Sequence, residues 1–142
     1  MKFSMKEMVE ILDANFENKK EARDKFLFET PKYGNDDDYA DDLTRRVFET
    51  YFKAVDGRPN TKGGHFRIDL LPTTCHVYFG SVMGATPDGR LAKEPVSEGI
   101  SPVQGADIHG PTSVIKSASK IDHLRTGGTL LNQKFTPNFL ET

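Results

Sequence analysis

LPTTCHVYFGSVMGATPDGRLAKEPVSEGISPVQGADIHGPT, residues 71–112, is the stretch on which the reading of this chain turns. Between Gly80 and Pro111 it holds six of the twelve glycines (Gly80, Gly84, Gly89, Gly99, Gly105, Gly110) and four of the eight prolines (Pro87, Pro95, Pro102, Pro111). A flexible linker has a similar density of both, but not the apolar residues interleaved here: Val82, Met83, Leu91, Val96, Ile100, Val103 and Ile108. Glycine serves where φ is positive or backbone passes close to a neighbour, and proline fixes φ near −65°. Alternated with residues of the buried type, they describe a long loop held in one shape. Loops of this length inside a compact domain are usually functional or disordered, and the apolar content favours a functional one.

The rest of the composition sets limits. At 142 residues the chain is one domain or a piece of one. A net charge of −2 gives no electrostatic reason to expect nucleic acid or an anionic membrane as partner. The single cysteine, Cys75, excludes an internal disulfide and fits a reducing, cytoplasmic setting. No apolar run reaches the ~20 residues of a membrane span. The opening MKFSMKEMVE lacks the apolar core of a secretory signal. Hydrophobic content of 36% is low for a self-sufficient core, so part of the surface is expected to be covered by something else.

Taken in order, the pattern is helical over residues 1–57. Ser4 and Glu7 make a capping box, Phe3 and Met8 a hydrophobic staple, and Met5, Met8, Val9, Leu12 and Phe16 an inward stripe. A second helix is expected over 19–29, with Ala22, Phe26 and Leu27 inward and Thr30-Pro31 ending it. Asn35 is read as the cap of a third helix, with Asp36, Asp37 and Asp38 as a solvated first turn that complements the helix dipole. Its broad apolar face is Tyr39, Leu43, Val47, Tyr51 and Val55, with Phe48 and Phe52 beside it. Residues 65–142 read as strands, the Gly/Pro loop, a helix and a strand. Residues 65–71 alternate, and 73–79 (TTCHVYF) form a second β-rich run with Thr74, His76 and Tyr78 on one face. A helix from Pro111 to about Asp122, a turn at Arg125-Thr-Gly-Gly, a strand over 129–135 and a lead-out at Thr136-Pro137 follow. The class is α/β.

Most chemical signatures are missing. No Gly-Lys-Ser/Thr follows a glycine loop, so there is no P-loop. His65, His76, His109 and His123 lack ligand spacing, and no metal site is expected. Gly99-Ile-Ser-Pro only superficially resembles a nucleophile elbow. Cys75, in an apolar run, reads as buried and inert rather than reactive.

Longer motifs say more. GATPDGR (84–90) followed by SEGISPVQGADIHGPT (97–112) resembles the signature region of the glycyl radical enzymes, the pyruvate formate-lyase family. PKYGNDDDY (31–39) and SASKIDHLRTGGTLLNQKFTP (117–137) match the same family in the same order, so the likeness covers essentially the whole chain as a partial domain of that type. It is closer to the dehydratase and lyase members than to pyruvate formate-lyase itself. Lys93 stands where glycine is common and Glu98 where aspartate is common. The resemblance implies a fragment of an α/β barrel, with parallel half-barrel strands and outer helices. It also implies a parent that cleaves C–C, C–O or C–N bonds, of the formate acetyltransferase or the dehydratase and lyase type.

In that family a cysteine loop and a glycine loop meet inside the barrel. Cys75 does not match the Gly-Cys-x-Glu of the first, and Arg125-Thr-Gly-Gly-Thr lacks the aromatic of the second. The chain therefore resembles the section between them, with no catalytic residue and no bound cofactor of its own. The parent would carry a glycyl radical installed by a radical-SAM activating enzyme. Expected partners are the remaining segments of the parent, that activase, and a second copy in a homodimer. The resemblance places the 73–79 run beside the catalytic chamber, with Thr74, His76 and Tyr78 near substrate. Asp88, Gly89 and Arg90 are read as a structural turn, the guanidinium tying down carbonyls or pairing with Asp88. Two readings stand beside the fragment or split-gene piece: a non-catalytic protein that docks on a chain carrying the missing loops, and an independent ligand-binding domain.

Overall fold

A computed structural model describes residues 2–135; the lead-out at Thr136-Pro137 lies outside them. The described elements are α1 (Met5–Asp13), α2 (Lys20–Phe28), α3 (Asp38–Val55), α4 (Cys75–Val82), α5 (Pro111–Ser119) and a 3-10 turn at His123–Arg125. They belong to two compact units that interleave along the sequence. One contains the residues up to Pro31 with Thr74–Val96, the other Lys32–Thr73 with the residues from Ser97 on.

In the first unit, α1 begins as expected. The Ser4 hydroxyl accepts the Glu7 N–H at 3.2 Å, and the Glu7 carboxylate accepts the Ser4 N–H at 2.7 Å. The buried stripe is rotated from the expected one. Ile11 is buried, whereas Met5 and Val9 are exposed. The cause lies at the helix end: Asn15, Phe16 and Asn18 take positive φ, so Phe16 leaves the helical spacing and folds back into the core. There Phe26 is met edge-on by Phe3 and Phe16, with centroids 5.3 and 6.0 Å away. Such pairs contribute about 0.5–1.5 kcal/mol each beyond area burial. Ala22 and Ile11 complete the cluster, and Met8, Leu12, Ala85 and Leu91 pack against it.

The run 73–79 is not a strand. Residues 75–82 form α4, and the alternating faces assigned to it do not exist. Local β-propensity is overridden by a tertiary contact. A Cβ on Gly80 would lie 2.3 Å from the Glu94 carbonyl oxygen and 2.5 Å from the Pro95 Cα, so α4 rests backbone to backbone on residues 94–95. The Val96 N–H donates to the His76 carbonyl one turn earlier on the same side. Cys75, expected to be buried, is exposed at the start of this helix.

In the second unit, α3 is capped by Asp37, whose side chain accepts the Ala40 N–H at 3.0 Å, and not by Asn35. Its buried residues are Ala40, Asp41 and Phe48. The face expected to be covered is open: Tyr39, Leu43, Val47 and Tyr51 are all exposed, Val47 at 69%. Phe48 instead packs with Ile68 and Ile121, flanked by Phe52, Val55 and Leu70. Of the two remaining strand expectations, pairing survives in part. The Gly127 N–H donates to the Ile68 carbonyl, the Leu70 N–H to Gly128, and the Leu130 N–H to Leu70, giving one parallel bridge between Leu70 and Thr129. His65 makes an antiparallel bridge to Pro59. Pro72 has no N–H with which to extend the first pairing. Residues 66, 68 and 70 do not form one buried face, since Ile68 is buried and Phe66 exposed.

Lys93 holds φ at +69°, in the left-handed region. An L side chain there costs about 1–2 kcal/mol, which glycine avoids. The Lys93→Gly chain is expected to gain about 0.5–1 kcal/mol after the extra chain entropy of glycine is subtracted. The check is an upward shift of the urea midpoint at unchanged slope, and an unchanged or lower midpoint would refute the strain.

Candidate functional site

α4 carries the three side chains expected near substrate, but does not bring them together. Thr74 precedes the helix and Tyr78 follows four residues later, so both lie on the exposed side, Tyr78 at 67%. His76 is half-buried on the side that meets residues 94–96. Tyr78 and Phe79 contact edge to face at 5.7 Å, and with Val77, Val82 and Met83 they leave α4 an apolar exposed surface.

The turn that follows is organised by Arg90, which is 6% exposed. Its Nη1 donates to the Leu91 carbonyl at 3.0 Å and to Glu94 at 2.6 Å, and its Nη2 donates to the Gly84 carbonyl. Nε donates to the Thr86 hydroxyl at 3.2 Å, and that hydroxyl donates in turn to the Asp88 carboxylate. Thr86 thus relays between the cation and the acid, and charge and carboxylate are joined through a hydroxyl. Asp88 also accepts the Arg90 N–H at 3.4 Å. Gly89, at φ +96°, sits over Leu27, and its carbonyl accepts Arg23 Nε at 2.9 Å. The guanidinium therefore fixes residues 84–94 through carbonyls.

A second polar constellation lies in the other unit, and the sequence reading missed it. Asp41, 1% exposed, accepts the Ser117 hydroxyl at 2.9 Å and Lys120 Nζ at 2.7 Å, both on Oδ2. Lys120 also reaches Asp36 at 3.2 Å and Asp38 at 2.9 Å, and Lys116 reaches Asp36 at 3.0 Å. Hydrogen bonds to Asp41 first, then to Asp38, raise the Lys120 pKa above the ordinary lysine range. Those from Lys116 and Lys120 lower that of Asp36 below the ordinary carboxylate range. The acidic run is thus the receptor for Lys116 of α5 and Lys120 just past its end, and not only a solvated helix start. Nothing in the local sequence set Asp41 apart from the neighbouring Asp37, Asp38 and Asp42.

Asn35 ties this cluster to the Gly/Pro region. Its Nδ2 donates to the Ala106 carbonyl at 2.7 Å, and its Oδ1 accepts the N–H groups of Ile108 and His109 at 2.8 and 3.1 Å. Tyr33, next to it, lines a cleft of about 420 Å³ with Val47, Tyr51, Ile100 and Val103. Burial, and after it the charge of Asp41, push the Tyr33 hydroxyl up to about 12. Arg125 stacks over the Phe52 ring at 3.7 Å and pairs with Glu49, anchoring the turn that presents Gly127 and Gly128. Among the described residues no group of three or more His, Cys, Asp or Glu side chains converges as a metal site would require. No described helix is long and apolar enough to cross a membrane.

Two outcomes follow from this geometry. Arg90→Ala is expected to cost about 3 kcal/mol, since charge-assisted bonds to carbonyls contribute about 1.5–3 kcal/mol each and do not add fully. Arg90→Lys is expected to recover less than half, because an ammonium cannot span the same fork. Equal midpoints for the parent and Arg90→Lys chains in urea would remove the guanidinium from this role. For Tyr33, the unfolded hydroxyl ionises near 10 while the folded one keeps its proton to about 12. Stability from this group is complete below pH 10 and lost as pH rises through that window. Tyr33→Phe is expected to flatten the fall in stability across it, measured by denaturation at a series of pH values.

Known proteins give this geometry its context. A family model described as pyruvate formate lyase-like matches residues 1–80, and one described as glycine radical matches residues 96–142. The chain is 55% identical over 140 residues to trans-4-hydroxy-L-proline dehydratase of Clostridioides difficile, covering 99% of the chain and 18% of that protein. It is 38% identical to isethionate sulfite-lyase of Oleidesulfovibrio alaskensis, covering 99% of the chain and 17% of the lyase. In three dimensions it matches the C. difficile hydroxyproline dehydratase, solved with trans-4-hydroxy-L-proline bound, at a TM-score of 0.94 over 99% of the chain. The B12-independent glycerol dehydratase of Clostridium butyricum, with glycerol bound, matches at 0.89 and 40% identity. The chain spans less than a fifth of the length of each of these relatives. With two family models matching in order and a common backbone throughout, the chain belongs to the pyruvate formate lyase-like family, the glycyl radical enzymes.

Proposed function

We propose that this chain is a segment of a glycyl radical dehydratase whose substrate is a small hydroxylated molecule of the trans-4-hydroxy-L-proline kind. One observation carries the reading. Identity to the hydroxyproline dehydratase is 55%, against 38% to the isethionate lyase and 40% to the glycerol dehydratase, at nearly equal coverage of the chain. The parallel pairing of residues 68–70 with 127–130 then belongs to a half-barrel completed by the remaining segments of the parent, with α3 on the outside. The parent works as a homodimer with its radical-SAM activase.

When present, the glycyl radical supplies hydrogen abstraction from substrate through a cysteine thiyl. The described glycines do not fit its storage. Gly127 and Gly128 spend their backbone groups on Ile68 and Leu70, next to no aromatic of the expected pattern. This chain's own part is to hold walls. Arg90 fixes the 84–94 turn, and that turn seats α4 through Gly80. α4 then offers Thr74 and Tyr78 from its exposed side to the substrate chamber, while His76 faces away.

The test is made on the full-length parent, activated anaerobically. It is expected to dehydrate trans-4-hydroxy-L-proline in preference to glycerol and to leave isethionate intact. Thr74→Ala and Tyr78→Phe are expected to lower kcat/KM roughly tenfold, about 1.4 kcal/mol, with radical yield unchanged. Unchanged kcat/KM in both variants would remove α4 from the chamber, and preference for another substrate would overturn the dehydratase assignment. The 142-residue chain alone is expected to show no turnover. It is also expected to give no organic radical in the electron paramagnetic resonance spectrum, and a signal traced by labelling to Gly127 or Gly128 would refute the supporting role.

A further inference from the structure

Residues 65–71 spend their backbone groups on one side only. The Phe66 N–H and carbonyl bond to Arg58 and Gly57, the Ile68 carbonyl to Gly127, and the Leu70 N–H and carbonyl to Gly128 and Leu130. The alternate residues, His65, Arg67, Asp69 and Leu71, have no hydrogen bond on their N–H or carbonyl groups among the described residues. All four are exposed, whereas Ile68 between them is buried. This period of two is that of a strand paired along one edge and open along the other. An open row of N–H and carbonyl groups is a template for a further strand.

The sequence along this edge is complementary to its own copy. Two copies running antiparallel about a twofold axis at Ile68 set Arg67 of each opposite Asp69 of the other. The same register sets His65 opposite Leu71. All four open residues then fall at hydrogen-bonded positions, where each pair exchanges two bonds. On the other face Phe66, which is 52% exposed, falls opposite Leu70. Pro72, with no N–H to give, falls opposite Gly64, which has no side chain to obstruct it. Registers centred on Arg67 or Asp69 set like charges against each other, which disfavours them. The Arg67 Nε meets Asp56 at 3.2 Å while the side chain is 68% exposed, so the outer end of its fork is open to a second carboxylate.

We infer that the open edge of residues 65–71 is a docking surface for a second copy of this chain, joined as an antiparallel strand pair centred on Ile68. The inference concerns the 142-residue chain and does not rest on the assignment of a parent or a substrate. Seven residues a side is well below the about 20–30 of a standard interface, so the dimer is expected to be reversible.

The experiment is analytical ultracentrifugation of the 142-residue chain and its charge variants across a concentration series. A monomer–dimer equilibrium is expected. Arg67→Asp or Asp69→Arg alone sets like charges together and is expected to weaken the dimer about tenfold. The double variant, Arg67→Asp with Asp69→Arg, restores opposite charges in the same register and is expected to recover it. In the unaltered chain, exchange of the Arg67 and Asp69 amide protons is expected to slow as concentration rises, read by nuclear magnetic resonance. A monomer at submillimolar concentration, the result if the edge serves only a strand of a longer parent, would overturn the surface. Aggregates of no fixed size, or a dimer that the double variant fails to recover, would do the same. A dimer lost with Val47→Asp but untouched by Arg67→Asp would place the second copy on α3 and refute the edge.

Discussion

A carboxylate taken out of water must be paired, and the second unit is arranged around that requirement at Asp41. Removing one partner of a buried pair costs about 3–5 kcal/mol, so the pairing restrains everything attached to it. Ser117 of α5 and Lys120 just past its end meet Asp41, which fixes that helix against the start of α3. The same Ser117 hydroxyl accepts the Asp36 N–H at 2.9 Å, which holds Asp36 at a φ of +57°. With Asp36 held, Asn35 points its amide into residues 106–109 and orders that part of the Gly/Pro region. One buried charge thereby reaches from a helix start to a loop some seventy residues away.

The first unit solves a related problem with the charges reversed. Arg90 is buried without a carboxylate directly on its guanidinium, and takes carbonyls and a hydroxyl as acceptors instead. Backbone carbonyls cannot be moved by side-chain rotation, so this choice fixes the chain path itself. It explains why the turn needs no regular secondary structure. It also explains how α4 and residues 94–95 can approach so closely at Gly80.

Both units leave apolar surface in the open: the Tyr39, Leu43, Val47 and Tyr51 face of α3, and the Val77, Tyr78, Phe79 and Val82 surface of α4. Exposed apolar area on this scale marks surface meant for contact. The relatives are more than five times the length of the chain, since it covers 17–18% of them. On the proposed reading, their remaining length is what covers these faces in the parent.

What the sequence determined by itself was whatever rests on short-range physics or on long ordered motifs. The Ser4–Glu7 capping box, the end of α2 ahead of Thr30-Pro31 and the start of α5 at Pro111 all follow from residues within a few positions of each other. Four motifs in sequence carried the family. Tertiary structure alone decided the rest. TTCHVYF has the composition of a strand, yet it is helical because a glycine in its wake fits against a distant backbone. The Tyr39 to Tyr51 stripe is as apolar as a core face, but the chain buries Phe48 instead, because Ile68 and Ile121 arrive on that side. Asp41 looked like any helix acid until Lys120 and Ser117, more than seventy residues later, closed over it. Local preference is a matter of fractions of a kcal/mol per residue, and a single close contact or buried charge outweighs it.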